Sequence, residues 1–180
     1  MVRSIGRAHN FGPWIDLAAP GVAASMLSGA GSAQSPESVK SAMALLKEKT
    51  ATLGPAELKG EDSVAGRVAP ALYFGKVKMS NNFTVVDEVQ KVSGATAALF
   101  VKSGDDYVRV STNVKKDDGS RAIGTVLDPK GKAIATIKKG DAYYGDADIL
   151  GKTYITGYEP VRASNGTAIG IYYVGYPKGQ

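Results

Sequence analysis

DDYVRVSTNVKKDDGSRAIGT, residues 105–125, is the stretch on which the fold turns. Its first half alternates as a strand does, and its second half is a turn crowded with Lys, Asp and Gly. In a two-residue period Tyr107, Arg109, Ser111 and Asn113 share one face, and Val108, Val110, Thr112 and Val114 share the other. The valine face is expected to pack against helices. The Tyr-Arg-Ser face is polar enough to line a small pocket, where an arginine fork would clamp both oxygens of a carboxylate. Taken alone, the segment favours the plainer alternative, a solvated strand face.

Upstream, SPESVKSAMALLKEK reads as a helix over residues 36–49. Ser35 is placed to cap it, Pro36 suits its first position, and Glu37 favours its positive end. Val39, Ala42, Met43 and Leu46 mark its packed face. Residues 1–34 are rich in Ala, Gly and Ser without a steady period. Gly54-Pro55 and residues 60–66 read as loop, and residues 70–77 contain a short extended piece, ALYFG. FTVVDEVQKVSG gives a second helix, with Thr84 as its cap, Val85, Val86, Val89 and Val92 on one side, and an end at Gly94.

After Gly94 the period changes. TAALFV and YVRVSTNV form a strand pair around SGDD, TVLD is a brief extended entry, and KAIATIKKG is a short helix. YYGDADIL, KTYITGYEPV and TAIGIYYVGYP are three further strands, joined by turns at ILGK and RASNG. Helices followed by a mostly antiparallel sheet of about five strands make an α+β pattern.

Composition narrows the chemistry. With no cysteine and a single histidine, His9, thiolate sites, histidine-rich metal sites and Ser-His-Asp chemistry lose their basis. There is no P-loop, HExxH or GxSxG signature. The acids in GDD, KKDDG and YYGD border turns, where solvated roles are ordinary. Neither an enzyme nor a cofactor or metal is expected. The net charge of +5 is spread along the chain in short runs, so nucleic acid is not an expected partner. No apolar run approaches the roughly 20 residues of a transmembrane helix.

Tyrosine is the informative excess: nine, against four Phe and one Trp. Lys152, Tyr154, Thr156 and Tyr158 fall on one face of KTYITGYEPV, and Tyr143-Tyr144 and Tyr172-Tyr173 sit on its neighbours. A concave face of Tyr, Thr, Arg and Lys suits a small anionic metabolite. The candidate ligand-binding residues are Arg109, Tyr107, Ser111, Arg121, Tyr144, Lys152, Tyr154 and Tyr158.

Together ALYFG (71–75), NNFTVVDEV (81–89), the run from Gly94 to Asp128, GDAYYGDADILGKTYITGYEPV (140–161) and GTAIGIYYVGYP (166–177) resemble the extracytoplasmic Cache sensor domains of bacterial chemoreceptors, in the fused Cache 3–Cache 2 group. The resemblance runs from about Pro70 to Pro177. It implies a PAS-like sheet with an N-terminal helix across its back, residues 1–69 forming the helical region and 70–180 the ligand-binding domain. It also implies a site outside the bacterial inner membrane, a small carboxylate ligand such as acetate, propionate or pyruvate, and a possible homodimer. The chain would then be a soluble piece of a membrane receptor for chemotaxis, or alternatively of a histidine kinase or diguanylate cyclase.

Overall fold

A computed structural model of the chain describes residues 34–179. The readings of residues 1–33, including His9, lie outside the described residues. The order of elements is α1 (Pro36–Ala51), β1 (Ala56–Val64), β2 (Arg67–Phe74), β3 (Val77–Lys78), α2 (Thr84–Ser93), β4 (Thr96–Ser103), β5 (Asp106–Thr112), α3 (Lys132–Lys138), β6 (Tyr143–Ile149), β7 (Lys152–Arg162) and β8 (Ala168–Pro177). Five strands form one antiparallel sheet in the order β5-β4-β8-β7-β6, and β1-β2-β3 form a second, smaller one. This is the expected α+β, PAS-like architecture of an N-terminal helix on an antiparallel sheet of five strands.

The local rules hold where the sequence is periodic. Ser35 caps α1 by accepting a hydrogen bond from the Ser38 N–H at 3.2 Å. Val39, Ala42, Met43 and Leu46 are all buried, and full burial of Val39, Met43 and Leu46 stabilises the helix dock by about 1.5–3 kcal/mol each. α2 ends at Gly94, which takes the left-handed conformation. Its cap differs from expectation. Phe83 occupies the cap position, and the Asn82 Oδ1 accepts from the Thr84 N–H. Val92, expected on the packed side, is 67% exposed.

Residues 56–69 depart from expectation. Residues 60–64 read as loop, yet belong to β1, and the 69/70 division falls inside β2. AELKGEDSV carries little β propensity. Its strand form comes from pairing with β2, interrupted by an irregularity between Leu58 and Glu61 at Gly60.

The main sheet is covered on both faces. The back face, with Leu99, Val101, Val108, Val110, Val161, Tyr172 and Val174, packs with α1, α2 and residues of the small sheet. The front face, with Ala98, Phe100, Tyr107, Tyr158, Ile171 and Tyr173, packs with Ile134 and Ile137 of α3. Strands β4 and β8 run close at Gly170, where an added Cβ would stand 2.2 Å from the Phe100 carbonyl oxygen.

One irregularity sets the site. Leu99 pairs with Ser111 while Phe100 pairs with Arg109, so Val110 is the extra residue of a β-bulge. Such a residue reverses the alternation of everything beyond it. Tyr107 and Arg109 point to the front. Ser111 and Asn113 point to the back, where the Ser111 hydroxyl donates to the Asn82 carbonyl at 2.5 Å. The Asn113 amide donates to the Val86 carbonyl at 2.7 Å and accepts from the Ala97 N–H at 2.8 Å.

Candidate functional site: a buried arginine in a tyrosine-walled cavity

A cavity of about 370 Å³ opens on the front face between the sheet, residues 125–128, the start of α3 and the β6–β7 turn. Arg109 lies in its wall, only 5% exposed. Its backbone is clasped from both sides: its N–H donates to the Thr125 carbonyl at 2.9 Å, and its carbonyl accepts from the Gly124 N–H at 2.7 Å. Residues 124–127 thereby cover the β5 edge, with Val126 bridging Val108. This is the TVLD extension expected from the sequence.

The guanidinium rests on aromatic rings. Its carbon is 4.9 Å from the Phe100 ring centre and 6.0 Å from that of Tyr173. No ion pair or side-chain hydrogen bond holds it among the described residues, and its Nε is the one buried side-chain nitrogen or oxygen there that lacks a partner. Desolvation presses its pKa down, against the opposing pull of Tyr173, Tyr158 and Tyr154. Ring contacts of this kind contribute about 0.5–2 kcal/mol, whereas an uncompensated buried charge costs several kcal/mol. Arg109 is therefore a cation without an acidic partner among the described residues, set in the wall of a cavity.

Tyr158 packs between the rings of Tyr173 and Tyr143, at centroid distances of 5.1 and 6.2 Å. Burial raises the pKa of Tyr158 and Tyr173 far above neutrality, so both stand as neutral phenols. The Tyr173 hydroxyl is engaged with Thr96. That of Tyr158 has no protein partner among the described residues and is a donor available to an anion in the cavity.

The eight sequence candidates divide. Arg109 and Tyr158 line the cavity. Tyr154 shares the front face and acts electrostatically on Arg109, without reaching the cavity wall. Tyr107 is also on the front, but faces a neighbouring hollow beside Ile137 and Lys138. Lys152 is exposed at the start of β7. Three candidates lie away from the cavity, and for Ser111 the expected shared face with Arg109 is corrected. Ser111 is turned to the back by the bulge at Val110. Arg121 is committed on the α2 side, donating through both terminal nitrogens to Asp87 at 2.7 and 2.9 Å and stacking on Phe83 at 4.3 Å. Tyr144 pairs with Gly157, on the α1 side of the sheet, and its hydroxyl donates to Glu159.

Tyr143, not Tyr144, reaches the cavity. The signal was present in the alternation of β6: Tyr143, Gly145, Ala147 and Ile149 make one small and apolar series, while Tyr144, Asp146 and Asp148 make the other. Two of the acids beside the cavity are occupied elsewhere: Asp146 pairs with Lys178 at 2.6 Å, and Asp148 accepts from the Thr153 hydroxyl at 2.9 Å. None is within ion-pair distance of Arg109.

Directly behind Tyr158 on β7, Glu159 faces α1 and accepts from Lys47 at 2.6 Å and from Tyr144. Burial works to raise the Glu159 pKa, but Lys47 and Tyr144 outweigh it and hold the group below the ordinary glutamate value. A depressed carboxylate pKa adds stability above the unfolded value, which is lost as pH falls through the folded one. The α1 tether is thus expected to weaken below about pH 4.5. Glu159→Gln should flatten that part of the acid-unfolding curve, as followed by circular dichroism; an unchanged curve would show that the tether does not contribute.

A family model described as the Cache 3/Cache 2 fusion domain matches residues 23–180, beginning well ahead of the Pro70 limit of the resemblance seen in the sequence. No curated protein matches the chain.

Proposed function

The chain belongs to the Cache 3/Cache 2 fusion family, whose members are extracytoplasmic small-molecule sensing domains, and from that premise we propose that it is the sensor of a bacterial chemoreceptor that takes a small carboxylate at Arg109. The observation that carries this reading is the buried Arg109, whose guanidinium has no ion pair or side-chain hydrogen bond among the described residues. A carboxylate supplies the missing charge and accepts two parallel N–H bonds from the fork. The Tyr158 hydroxyl adds a third donor. The mechanism is binding without turnover.

Signal transfer follows from the two sides of β7 and β8. Tyr158 faces the cavity and Tyr173 packs against it on the same side, while Glu159 and Tyr172 face the back, where α1 packs on both strands. A ligand with different affinities for two arrangements of this sheet shifts the population between them, and α1 moves with its Lys47–Glu159 tether. In the intact receptor on the outer side of the inner membrane, that displacement is the output.

The test is a thermal-melt screen with acetate, propionate, pyruvate and longer organic acids. A ligand at 100 times its Kd adds about 2.7 kcal/mol to native-state stability, a shift of several degrees, and the same acid should evoke a tactic response from the intact receptor. A panel of organic anions that leaves the melting temperature unmoved overturns the reading.

A further inference from the structure

We propose that the ligand is a monocarboxylate with an apolar body long enough to reach the β6–β7 turn, a medium-chain or aromatic acid in place of a two- or three-carbon one, and that Leu150 closes over that body. The proposal rests on the carboxylate reading of Arg109 and specifies what lies beyond the headgroup.

Three observations converge. First, a volume of about 370 Å³ equals roughly a dozen waters at their share of liquid volume. A molecule of four heavy atoms seated on Arg109 would leave most of it unfilled. Second, beyond Arg109 one wall of the cavity runs along Leu127, Ala133, Ala147, Ile149 and Leu150, while Asp128, Lys132, Asp146 and Asp148 also border it. It offers one buried cation, which matches one carboxylate, and three acids against the single exposed Lys132 disfavour a second.

Third, the turn at the cavity mouth is unfavourable by itself. Ile149 pairs with Lys152, so Leu150 and Gly151 form a two-residue hairpin loop with φ of +50° and +82°. That geometry suits Asn-Gly, and a bulky apolar residue there is a genuine outlier. Leu150 is also 46% exposed. The fold thus holds an apolar side chain, in a strained conformation, beside the apolar wall of the cavity and in contact with water. Strain of this kind persists where function uses it, and an apolar ligand body would bury the Leu150 side chain.

The experiment is isothermal titration of the chain with acetate, butanoate, hexanoate, benzoate, succinate and leucine, on wild type and Leu150→Asn. Affinity should rise about fourfold for each buried methylene from acetate to hexanoate. Succinate should bind more weakly than butanoate. Leu150→Asn should raise the melting temperature of the ligand-free protein by a few degrees, through its better turn, and erase the gain between butanoate and hexanoate. Ala147→Leu, which fills the far end of the cavity, should cut the same gain. Equal affinity along the series, preference for succinate or leucine, or a Leu150→Asn variant with full hexanoate affinity would overturn the apolar-body proposal while leaving the Arg109 headgroup site standing. A panel in which no carboxylate binds would overturn both.

Discussion

Arg109→Met is expected to make the ligand-free protein more stable and to abolish carboxylate binding. Most buried substitutions destabilise, so the sign is diagnostic. Methionine has similar length, packs on Phe100 and Tyr173, and removes a charge that has no partner among the described residues. Replacing uncompensated buried charge by an apolar side chain should stabilise by about 2 kcal/mol, roughly 4–8 °C in melting temperature for a chain of this size. Losing the fork should weaken carboxylate binding at least about thirtyfold, since truncating one partner of a buried charge pair costs about 2–5 kcal/mol. Differential scanning calorimetry and isothermal titration check the two halves. A variant that is destabilised, or one that still binds, would mean that Arg109 is satisfied by the protein itself.

Asn113→Ala should have the largest destabilising effect outside the hydrophobic core. The Asn113 side chain is 5% exposed and bonds two backbone groups, the Val86 carbonyl of α2 and the Ala97 N–H of β4. Truncation leaves both buried groups unpaired, at about 1–3 kcal/mol each, so a total near 3 kcal/mol is expected in urea unfolding. A loss under about 0.5 kcal/mol, the range of surface substitutions, would show that water replaces the amide at no cost.

These two residues also show where sequence reading stops. Tyr107, Arg109, Ser111 and Asn113 form one alternating series on paper. A single extra residue at Val110 divides it, sending Arg109 to the cavity face and Asn113 to the helix face. Nothing in YVRVSTNV marks that bulge, because valine and serine fit either side of it. The Tyr143–Tyr144 doublet was misread for a different reason. The small residues that share the Tyr143 series were legible, but the doublet alone leaves the phase open.

The helices and the five strands of the main sheet were legible because their apolar periods are strong and their turns carry Gly, Asn or Asp. β1 was not, because AELKGEDSV is polar and gains its strand form only by pairing with β2. The cavity wall from Thr125 to Asp128 was legible as an extended segment, but not as a clasp on Arg109. That contact depends on backbone hydrogen bonds across the β5 edge, which side-chain patterning does not encode. Arg121 and Arg109 are equivalent by composition. Only the fold shows that Asp87 takes one and leaves the other open.

If the Arg109 guanidinium receives the ligand's charge, its own N–H signals must report the binding. Nitrogen-15 NMR of the arginine side chains, with a carboxyl-labelled acid from the titration series, observes that group directly. The expected result is a downfield shift of the Arg109 Nε–H on ligand addition, with slowed exchange with solvent and a through-space contact to the ligand, all absent in Arg109→Met. Saturating ligand with an unmoved Arg109 Nε–H signal would contradict it.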